Sequence, residues 1–471
     1  MRRIAIYLLC IFMLLPVATM TAQPGYNYSK LQREKLNRGV VAIRENPSEV
    51  IVSWRYLSSD PIQTGFNVYR DGKKLTDTPI TVSTLFRDKN NSQKTAVYEV
   101  RPVLKGKETH HIDGTYTFPE NAPLGYLEIP LQKPADGITP AGDTYTYSPN
   151  DASIGDVDGD GEYEIILKWD PSNSHDNSHE GYTGEVYIDC YRMNGEQLWR
   201  INLGKNIRAG AHYTQFMVYD LDGDGKAEVV MRTADGTIDS KGKVIGNADA
   251  DYREAGTFDQ SRNQMMKQGR ILKGKEYLTV FSGDTGEALH TIDYIPARGN
   301  VADWGDAKGN RSDRFLACVA YLDGVHPSVV MCRGYYTRTV LAAFDWNGKE
   351  LKNRWVFDSN HPGCEQYAGQ GNHNLRVGDV DGDGCDEIIY GSCAIDHNGK
   401  GLYSTRMGHG DAIHLTHFDP SRKGLQVWDC HENKRDGSTY RDAATGEVLL
   451  QLKSNTDVGR CMACLLYTSD A

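Results

Sequence analysis

The sequence predicts an all-β protein, in which a calcium-binding β-propeller follows a smaller β-sandwich. Three observations support this prediction. A loop rich in aspartate occurs three times, each time before a short apolar run. Tight hairpin turns recur in the same part of the chain, and the first part contains short alternating segments typical of strands. The 27 tyrosines and 48 glycines among 471 residues are also typical of a turn-rich β protein.

Residues 1–22 have the pattern of a secretory signal peptide. Arg2 and Arg3 precede an apolar stretch, and Ala22 ends a small-residue cleavage site. The stretch is too short for a spanning helix, and an uncleaved membrane anchor is the alternative. We therefore expect a secreted or periplasmic protein without a membrane span, in a compartment where disulfides can form.

Residues 24–135 are expected to form the sandwich. The segment from Val50 to Trp54 alternates like a strand, and the segment from Phe66 to Leu75 contains an Asp-Gly hairpin turn. A Trp and a Tyr on successive short strands resemble a fibronectin type III-like fold, and a β domain of another topology is the alternative. A proline-rich linker then leads to the propeller, expected over residues 150–463.

The three aspartate-rich loops are predicted to hold structural calcium ions. Each places carboxylates at positions 1, 3, 5 and 9, with a glycine that permits the sharp turn at position 6. Calcium requires several oxygen ligands of this kind. The predicted ligands are Asp156, Asp158, Asp160 and Glu164 in the first loop, Asp220, Asp222, Asp224 and Glu228 in the second, and Asp379, Asp381, Asp383 and Glu387 in the third.

Strand–turn–strand units recur between and after these loops, as in propeller blades. Their turns contain Gly195, Gly286, Gly348 and Gly446. The wider gap between the second and third loops leaves room for a blade with a degraded loop, for which residues 303–313 are the candidate. About five or six blades fit the length of this region.

Charge and cysteine usage limit the partners. A formal net charge of −11 argues against nucleic acid. No CxxC pair of cysteines is accompanied by a matching second pair or by a histidine pair, so a zinc finger is not expected. The last eight residues, 464–471, resemble a translated sequencing adapter, and we therefore expect the chain to be a C-terminally truncated fragment. We expect a monomer.

A second cluster of metal-binding residue types differs from the aspartate-rich loops. It comprises His373, His409, Asp411 and Glu432, and glycines flank both histidines. Imidazole is an unusual ligand for calcium, so zinc or manganese remains open for this set. The histidines could equally be ordinary loop residues.

Residues 30–463 resemble a rhamnogalacturonan lyase of polysaccharide lyase family 11. The motifs that carry the resemblance include Leu36–Val41, Asn150–Gly161, Leu167–Pro171, Gly369–His373, Met407–Ala412 and Asp457–Arg460. The resemblance implies an eight-bladed propeller with several calcium ions, incomplete in this chain. It also implies cleavage of the rhamnose-(1→4)-galacturonate bond of pectic rhamnogalacturonan I by β-elimination.

The resemblance further implies roles for individual residues. His373, His409, Asp411 and Glu432 would hold an active-site calcium that meets the substrate carboxylate. Arg460 would bind the substrate and act in catalysis. Asn150 and Asp170 would contact sugar hydroxyls, and turn capping is the alternative for these two. No residue here matches the lysine that is the family's candidate general base, so the fragment is expected to lack part of its catalytic apparatus.

Two other functions remain open at this point. A calcium-stabilised propeller could bind glycan or protein without catalysis. A hydrolase acting on the same polymer would need a pair of carboxylates at a fixed separation, which sequence spacing cannot reveal.

Overall fold

The computed structural model describes residues 30–57, 59–109 and 114–463. The expected signal peptide and the segment 464–471 lie outside these ranges. The described residues form strands and two short 3-10 helices, Val301–Trp304 and Glu365–Tyr367, so the predicted all-β class is confirmed. None of the helices in these ranges has the length and apolarity that a membrane crossing requires.

The N-terminal part consists of two antiparallel sheets around one core. Its strands are β1 (Val41–Asn46), β2 (Glu49–Ser53), β3 (Gly65–Arg70), β4 (Lys73–Lys74), β5 (Leu85–Asp88), β6 (Ala96–Leu104), β7 (Lys107–Glu108) and β8 (Thr115–Phe118). One sheet has the order β1-β2-β5, and the other has the order β4-β3-β6-β7 with β8 also paired to β6. Alternate residues face the core, where Trp54 packs against Phe66 with ring centroids 5.5 Å apart.

The stretch expected to be a linker contains a small hairpin of its own, β9 (Gly137–Ile138) and β10 (Thr144–Tyr145). The next strand begins soon afterwards, at Tyr147. Regular structure therefore starts slightly before the expected propeller boundary at residue 150.

Five antiparallel sheets follow one another along the rest of the described chain. The first contains β11 (Tyr147–Gly155), β12 (Glu164–Pro171), β13 (Tyr187–Tyr191) and β14 (Gln197–Asn202), and it is extended by β17 (Thr237–Ile238) and β18 (Val244–Ile245). The second contains β15 (Phe216–Tyr219), β16 (Glu228–Ala234), β21 (Glu276–Ser282) and β22 (Ala288–Asp293). The third contains β23 (Phe315–Ala320), β24 (Ser328–Arg333), β25 (Val340–Trp346) and β26 (Leu351–Asp358).

The last two sheets have shorter strands. The fourth contains β27 (Arg376–Gly378), β28 (Glu387–Ile389), β29 (Cys393–Ile395) and β30 (Gly401–Ser404). The fifth contains β31 (Ile413–Thr416), β32 (Gln426–Cys430), β33 (Ser438–Asp442) and β34 (Val448–Leu452). A separate hairpin, β19 (Thr257–Asp259) and β20 (Gln264–Met266), lies in a polar excursion between β16 and β21.

Each sheet shares a hydrophobic core with the next, because neighbouring residues of a strand point to opposite faces. In β16, Val229 and Met231 face the core shared with the first sheet, and Val230 faces the core shared with the third. In β28, Ile388 faces the third sheet and Ile389 the fifth. The first strands β11, β15, β23, β27 and β31 also lie next to one another in this order. The sheets are therefore arrayed side by side, with their first strands adjacent to one another.

The hairpin turns predicted from glycine are confirmed. They join β13 to β14, β21 to β22, β25 to β26 and β33 to β34. The apolar runs after the three aspartate-rich loops are strands β12, β16 and β28 rather than helices, as predicted.

The prediction of a degraded loop at residues 303–313 is wrong. Each aspartate-rich loop joins the first strand of a sheet to the second, and in the third sheet that connection is residues 321–327. The segment 303–313 lies before β23. Asp306 accepts hydrogen bonds from the main-chain N–H groups of Lys308 and Asn310, and Asp313 pairs with Arg333.

Candidate active site and cation-binding loops

The structure brings together the four residues of the mixed cluster. His373 lies ahead of β27, His409 and Asp411 lie ahead of β31, and Glu432 follows β32. Their donor atoms all lie within 4.8 Å of one another. Main-chain hydrogen bonds hold the three segments side by side, from His373 N to the carbonyl of Gly410 and from Glu432 N to the carbonyl of His409.

Two glycines allow these segments to approach so closely. A Cβ atom on Gly410 would stand 1.9 Å from the carbonyl oxygen of Cys430, and one on Gly371 would stand 2.4 Å from the ring of Tyr390. Any larger residue at either position would push the histidine-bearing segments apart. The glycine-rich surroundings noted in the sequence are therefore required by packing.

The imidazole of His409 is fixed in both tautomer and direction. Its Nδ1 donates to the carbonyl oxygen of Gly371, and Tyr335 stacks on the ring at 5.2 Å. Its Nε2 is buried, has no hydrogen-bond partner among the described residues and lies 3.5 Å from Glu432 Oε1. Burial, and to a smaller degree the nearby His373, lowers the pKa of His409 to about 4. The ring is therefore neutral near pH 7, with the Nε2 lone pair facing the cluster.

His373 faces the same point from the neighbouring segment. Its Nε2 lies 3.3 Å from Asp411 Oδ1, and its Nδ1 lies 3.0 Å from the hydroxyl of Tyr335. Burial lowers the pKa of His373, which is therefore also neutral at pH 7. The pKa of Glu432 is raised by burial and by the negative charges of Asp411 and Asp457.

The donor set fits a divalent cation. An unpaired imidazole nitrogen, a second neutral imidazole and two carboxylates converge on one point, and all of these groups are common metal ligands. A cation would pair the orphaned Nε2 of His409 and would offset the repulsion that raises the pKa of Glu432.

Arg460 lies at the open side of this cluster. Its Nη1 is 3.2 Å from Asp411 Oδ2, and its side chain is 82% exposed. Among the remaining sequence-predicted residues, Asn150 is exposed at the irregular register between β11 and β12, and Asp170 is half-buried in β12. Burial is the main cause of the raised pKa of Asp170. Both residues belong to the first sheet, and no described hydrogen bond or ion pair joins either to the cluster.

Several residues near the cluster were missed by sequence reasoning. The hydroxyl of Tyr336 lies 3.2 Å from His373 Nε2, and the guanidinium of Arg311 lies 4.0 Å from the centre of the Tyr336 ring. The His212 ring lies 5.0 Å from that of His373. Burial and the charge of Arg314 lower the pKa of His212 to about 4. The sequence signal for these contacts was the pair Tyr335-Tyr336, which follows β24 after Gly334.

The aspartate-rich loops lie at the other end of the first strands. They begin directly after β11, β15 and β27, whereas His373 and His409 precede β27 and β31. A strand of four residues spans roughly 13 Å, so the two kinds of site are separated by about this length. The mixed cluster is therefore distinct from the aspartate-rich loops in position as well as in composition.

All three aspartate-rich loops share one pattern of main-chain hydrogen bonds. In the first two, the carboxylates at positions 1, 3 and 9 also have oxygens within 4.8 Å of one another. The position-1 carboxylate accepts from the N–H groups of the glycines at positions 4 and 6, as Asp156 does from Gly159 and Gly161. The position-9 glutamate accepts from the main chain at position 2, as Glu228 does from Leu221 at 2.9 Å.

The glutamates at position 9 show that negative charge is crowded in these loops. Burial, followed by the neighbouring aspartates, raises the pKa of Glu164 to about 7 and the pKa values of Glu228 and Glu387 to about 8. A bound cation would favour the ionised forms. In the first loop, Arg192 Nη2 also donates to Asp158 Oδ2 at 2.8 Å, which occupies one of the expected ligand oxygens.

The third loop has additional neighbours. His397 and Asp396, which lie directly after β29, face Asp383 and Glu387, and Cys385 stands at position 7. Sequence reasoning missed this association because the residues come from two separate connections.

Sequence profiles of one lyase family match nearly all of the described chain. A profile described as "Rhamnogalacturonan lyase family 11, C-terminal domain" matches residues 126–470. Another, described as "Rhamnogalacturonan I lyases beta-sheet domain", matches residues 31–117.

Two curated proteins of Bacillus subtilis strain 168 are similar to the chain. The rhamnogalacturonan exolyase YesX is 60% identical over 436 residues, which are 92% of this chain and 68% of that protein. The rhamnogalacturonan endolyase YesW is 56% identical over 434 residues, which are 92% of this chain and 67% of that protein.

Solved structures agree with this similarity. The crystal structure of the exotype lyase YesX matches with a TM-score of 0.84 and 59% identity, and the match covers 92% of this chain and 69% of that one. The PL11 rhamnogalacturonan lyase of Bacillus licheniformis matches with a TM-score of 0.84 and 59% identity, covering 93% and 71%.

Proposed function

The chain belongs to rhamnogalacturonan lyase family 11, and from this premise we propose that it is a calcium-dependent lyase that cleaves the rhamnose-(1→4)-galacturonate bond of pectic rhamnogalacturonan I by β-elimination. The observation that carries the proposal is the cluster of His373, His409, Asp411 and Glu432, with Arg460 at its open side. This cluster combines a cation site with an exposed cationic side chain, as the binding of a uronate requires.

β-Elimination from galacturonate removes the proton at C5, breaks the bond from C4 to the departing sugar oxygen and leaves a double bond between C4 and C5. The C5 proton is weakly acidic because it adjoins an ionised carboxylate. A divalent cation held by the cluster would neutralise that carboxylate and stabilise the developing negative charge by several kcal/mol, on the order expected of a Lewis acid.

The chain's own residues would orient the uronate and balance its charge. Arg460 is exposed and free to turn a planar, permanently charged group toward a carboxylate. Arg311 presents a second guanidinium, held over the ring of Tyr336. The hydrogen bond from His409 Nδ1 to Gly371 keeps Nε2 directed into the site. Asn150 and Asp170 are proposed to contact sugar hydroxyls further along the polymer.

The proposal also includes the identity of the two folds in the chain. The five sheets with adjacent first strands are blades of a β-propeller, which the family completes to eight. The N-terminal part, with its β1-β2-β5 and β4-β3-β6-β8 pairings, is a fibronectin type III-like sandwich. Calcium in the three aspartate-rich loops stabilises the blades.

The pattern of residues 1–22 supports export to the periplasm or the medium. The non-catalytic alternative is disfavoured, because both curated relatives are lyases. One of them is named an exolyase and the other an endolyase, so the similarity is compatible with either mode of cleavage.

The proposal can be tested by mixing the purified protein with rhamnogalacturonan I and measuring the ultraviolet absorbance of the unsaturated uronate that forms. We expect absorbance to rise, to stop rising after exhaustive chelation, and to rise again after calcium is restored. Restoration by manganese or zinc but not calcium would assign a different cation. Cleavage products without a double bond would contradict the lyase proposal.

The variant Asp411→Asn keeps the shape of the site and removes one ligand charge, which makes it the matched inactive control. Product size distinguishes the two modes of cleavage, because an endolyase lowers viscosity early and an exolyase releases short products first.

A further inference from the structure

Two cysteines meet beside the candidate active site. Cys430 is the last residue of β32, and Cys461 lies in the irregular segment that follows β34. Their thiols are in hydrogen-bond contact with each other. Both sulfur atoms also lie near one carbonyl oxygen, that of Ala412, at 3.6 Å for Cys430 and 3.4 Å for Cys461. The fold therefore places two thiols from distant parts of the chain against each other.

The carbonyl oxygen of Ala412 cannot satisfy both thiols. It already accepts from the main-chain N–H of Cys430 at 3.2 Å, and the side-chain amide of Asn372 lies 3.5 Å from it. A carbonyl oxygen has two lone pairs, and a thiol is a weak donor. The two thiols are therefore the weakest of four competing donors, and removing their protons would leave Ala412 with its stronger partners.

The contact distinguishes this pair from two other cysteines that lie on neighbouring strands. Cys318 in β23 and Cys332 in β24 are both buried in one core, but the residue opposite Cys318 is Val330. The two cysteines are thus diagonal neighbours, and diagonal neighbours in an antiparallel pair are about 7–8 Å apart. That separation exceeds the range in which a disulfide closes without movement of the main chain.

The segment that contains Cys461 also contains Arg460, and it is attached to the sheets at few points. Residues 453–463 form no strand or helix. The main-chain N–H of Val458 donates to the carbonyl oxygen of His431 at 3.3 Å, and His414 Nε2 donates to the carbonyl oxygen of Cys461 at 3.0 Å. A segment held by so few hydrogen bonds opens easily, unless a stronger link fixes it.

We propose that Cys430 and Cys461 form a disulfide in the exported protein, and that this bond holds Arg460 next to the cation cluster to which Glu432 belongs. The proposal rests on the proposed export, because exported proteins meet an oxidising environment. Each thiol loses one proton, and a bond forms between the two sulfur atoms. The two electrons reduce the disulfide of a thiol–disulfide oxidoreductase, or oxidised glutathione in vitro, to two thiols.

The test maps the cross-link by mass spectrometry. The full chain is equilibrated with equal amounts of reduced and oxidised glutathione, its free thiols are alkylated, and it is digested with trypsin without a reductant. We expect a linked pair of peptides that contain Cys430 and Cys461, lighter than their sum by two hydrogen atoms. Cys464 lies on the same tryptic peptide as Cys461. Cys464→Ser is therefore the matched control and should keep the cross-link, whereas Cys461→Ser should lose it.

A second measurement needs no variant. In the folded wild-type protein, reduction should make trypsin cleave after Arg460 faster by about tenfold or more, because the untethered segment opens more often to the protease. Cleavage after the exposed Arg262, between β19 and β20, is the internal control and should keep its rate. None of these readouts uses lyase activity, so a failure of the proposed function would leave them unchanged. A wild type without the cross-link, a cross-link that persists in Cys461→Ser, or equal cleavage after Arg460 in the oxidised and reduced proteins would overturn the proposal.

Discussion

His409 donates a hydrogen bond from Nδ1 to the carbonyl oxygen of Gly371, and this contact determines which nitrogen of the ring faces Glu432. The approach depends on glycine, because a Cβ on residue 371 would collide with Tyr390 and with Tyr335. The glycine in the motif at residues 369–373 therefore helps to determine the tautomer of His409, almost forty residues later in the chain. A metal ligand held in this way loses little freedom when the ion binds.

Replacing His409 tests the proposed metal site. We expect His409→Ala to lose the active-site ion and at least about 10²-fold of kcat/KM, the scale seen when a group that stabilises transition-state charge is removed. Metal content per chain and the rate of unsaturated product formation measure the two effects. His326→Ala, at an exposed histidine that pairs only with Asp323, is the control and should change neither. Full activity with unchanged metal content in His409→Ala would exclude this residue as a ligand.

Two aspartates from different sites should show opposite effects. Asp220→Asn, in the second aspartate-rich loop, should lower the melting temperature in calcium and leave kcat nearly unchanged. At calcium 100-fold above Kd, the lost binding corresponds to roughly 3 kcal/mol of stability. Asp411→Asn should abolish activity with little change in melting temperature. Thermal unfolding and initial rates on both variants provide the measurement, and equal effects of the two substitutions would contradict separate roles.

Arg460 is expected to act on the substrate and not on the fold. Its side chain is largely exposed and touches only Asp411 within the cluster, so Arg460→Ala should not lower the melting temperature. We expect kcat/KM to fall by about 10²-fold or more. Arg460→Lys should restore only part of it, since a lysine cannot bind a carboxylate in the bidentate manner. Arg435→Ala, at another exposed arginine, is the control. An equal loss of kcat/KM in the two alanine variants would contradict a specific role of Arg460 in substrate binding.

Local signals in the sequence predicted most of the fold. Asn-Gly and Thr-Gly turns fixed the hairpins, and an apolar run after each aspartate-rich loop predicted a strand. The third sheet shows the limit of this approach. Its connection, residues 321–327, retains only Asp323 of the repeated carboxylates. Residues 303–313 contain three aspartates, and the degraded loop was therefore predicted there. Those aspartates serve turns and a buried ion pair, a use of the same residue type that spacing does not distinguish.

The candidate site was predictable in part. His373, His409, Asp411 and Glu432 could be grouped because a family resemblance supplied the motifs, and the structure brings their donor atoms together. Arg311 and Tyr336 carry no motif, and Cys385 and His397 come from different connections of one sheet. These contacts arise from the packing of strands, so no periodicity within a single segment encodes them.

A buried ion cluster between the second and third sheets gives a prediction about acid stability. Glu276 in β21 pairs with Arg232 and Arg298 through Oε1, at 2.8 and 2.6 Å, and with Arg333 through Oε2, at 2.8 Å. Burial alone would raise the pKa of Glu276, but the three guanidinium groups outweigh it and lower that pKa below the ordinary value of 4.5. The ionised form is therefore favoured by folding. Its contribution to stability is fully present above about pH 4.5 and declines as the pH falls toward the pKa of the folded state.

Glu276→Gln should destabilise the protein by about 3–5 kcal/mol near pH 7, because Arg232 then loses its carboxylate partner and the buried Arg298 and Arg333 are left to share Asp313. The difference in melting temperature between wild type and variant should narrow below about pH 4.5. The wild type then loses the stabilisation from ionised Glu276, which the variant does not have at any pH. Thermal unfolding at pH 7, 5 and 4 measures this difference, and comparison with the wild type cancels the titration of the aspartate-rich loops. Glu287→Gln, at an exposed glutamate, should melt like the wild type at every pH. If the difference in melting temperature between Glu276→Gln and the wild type stays constant from pH 7 to pH 4, the cluster stabilises the fold through packing and not through its charge.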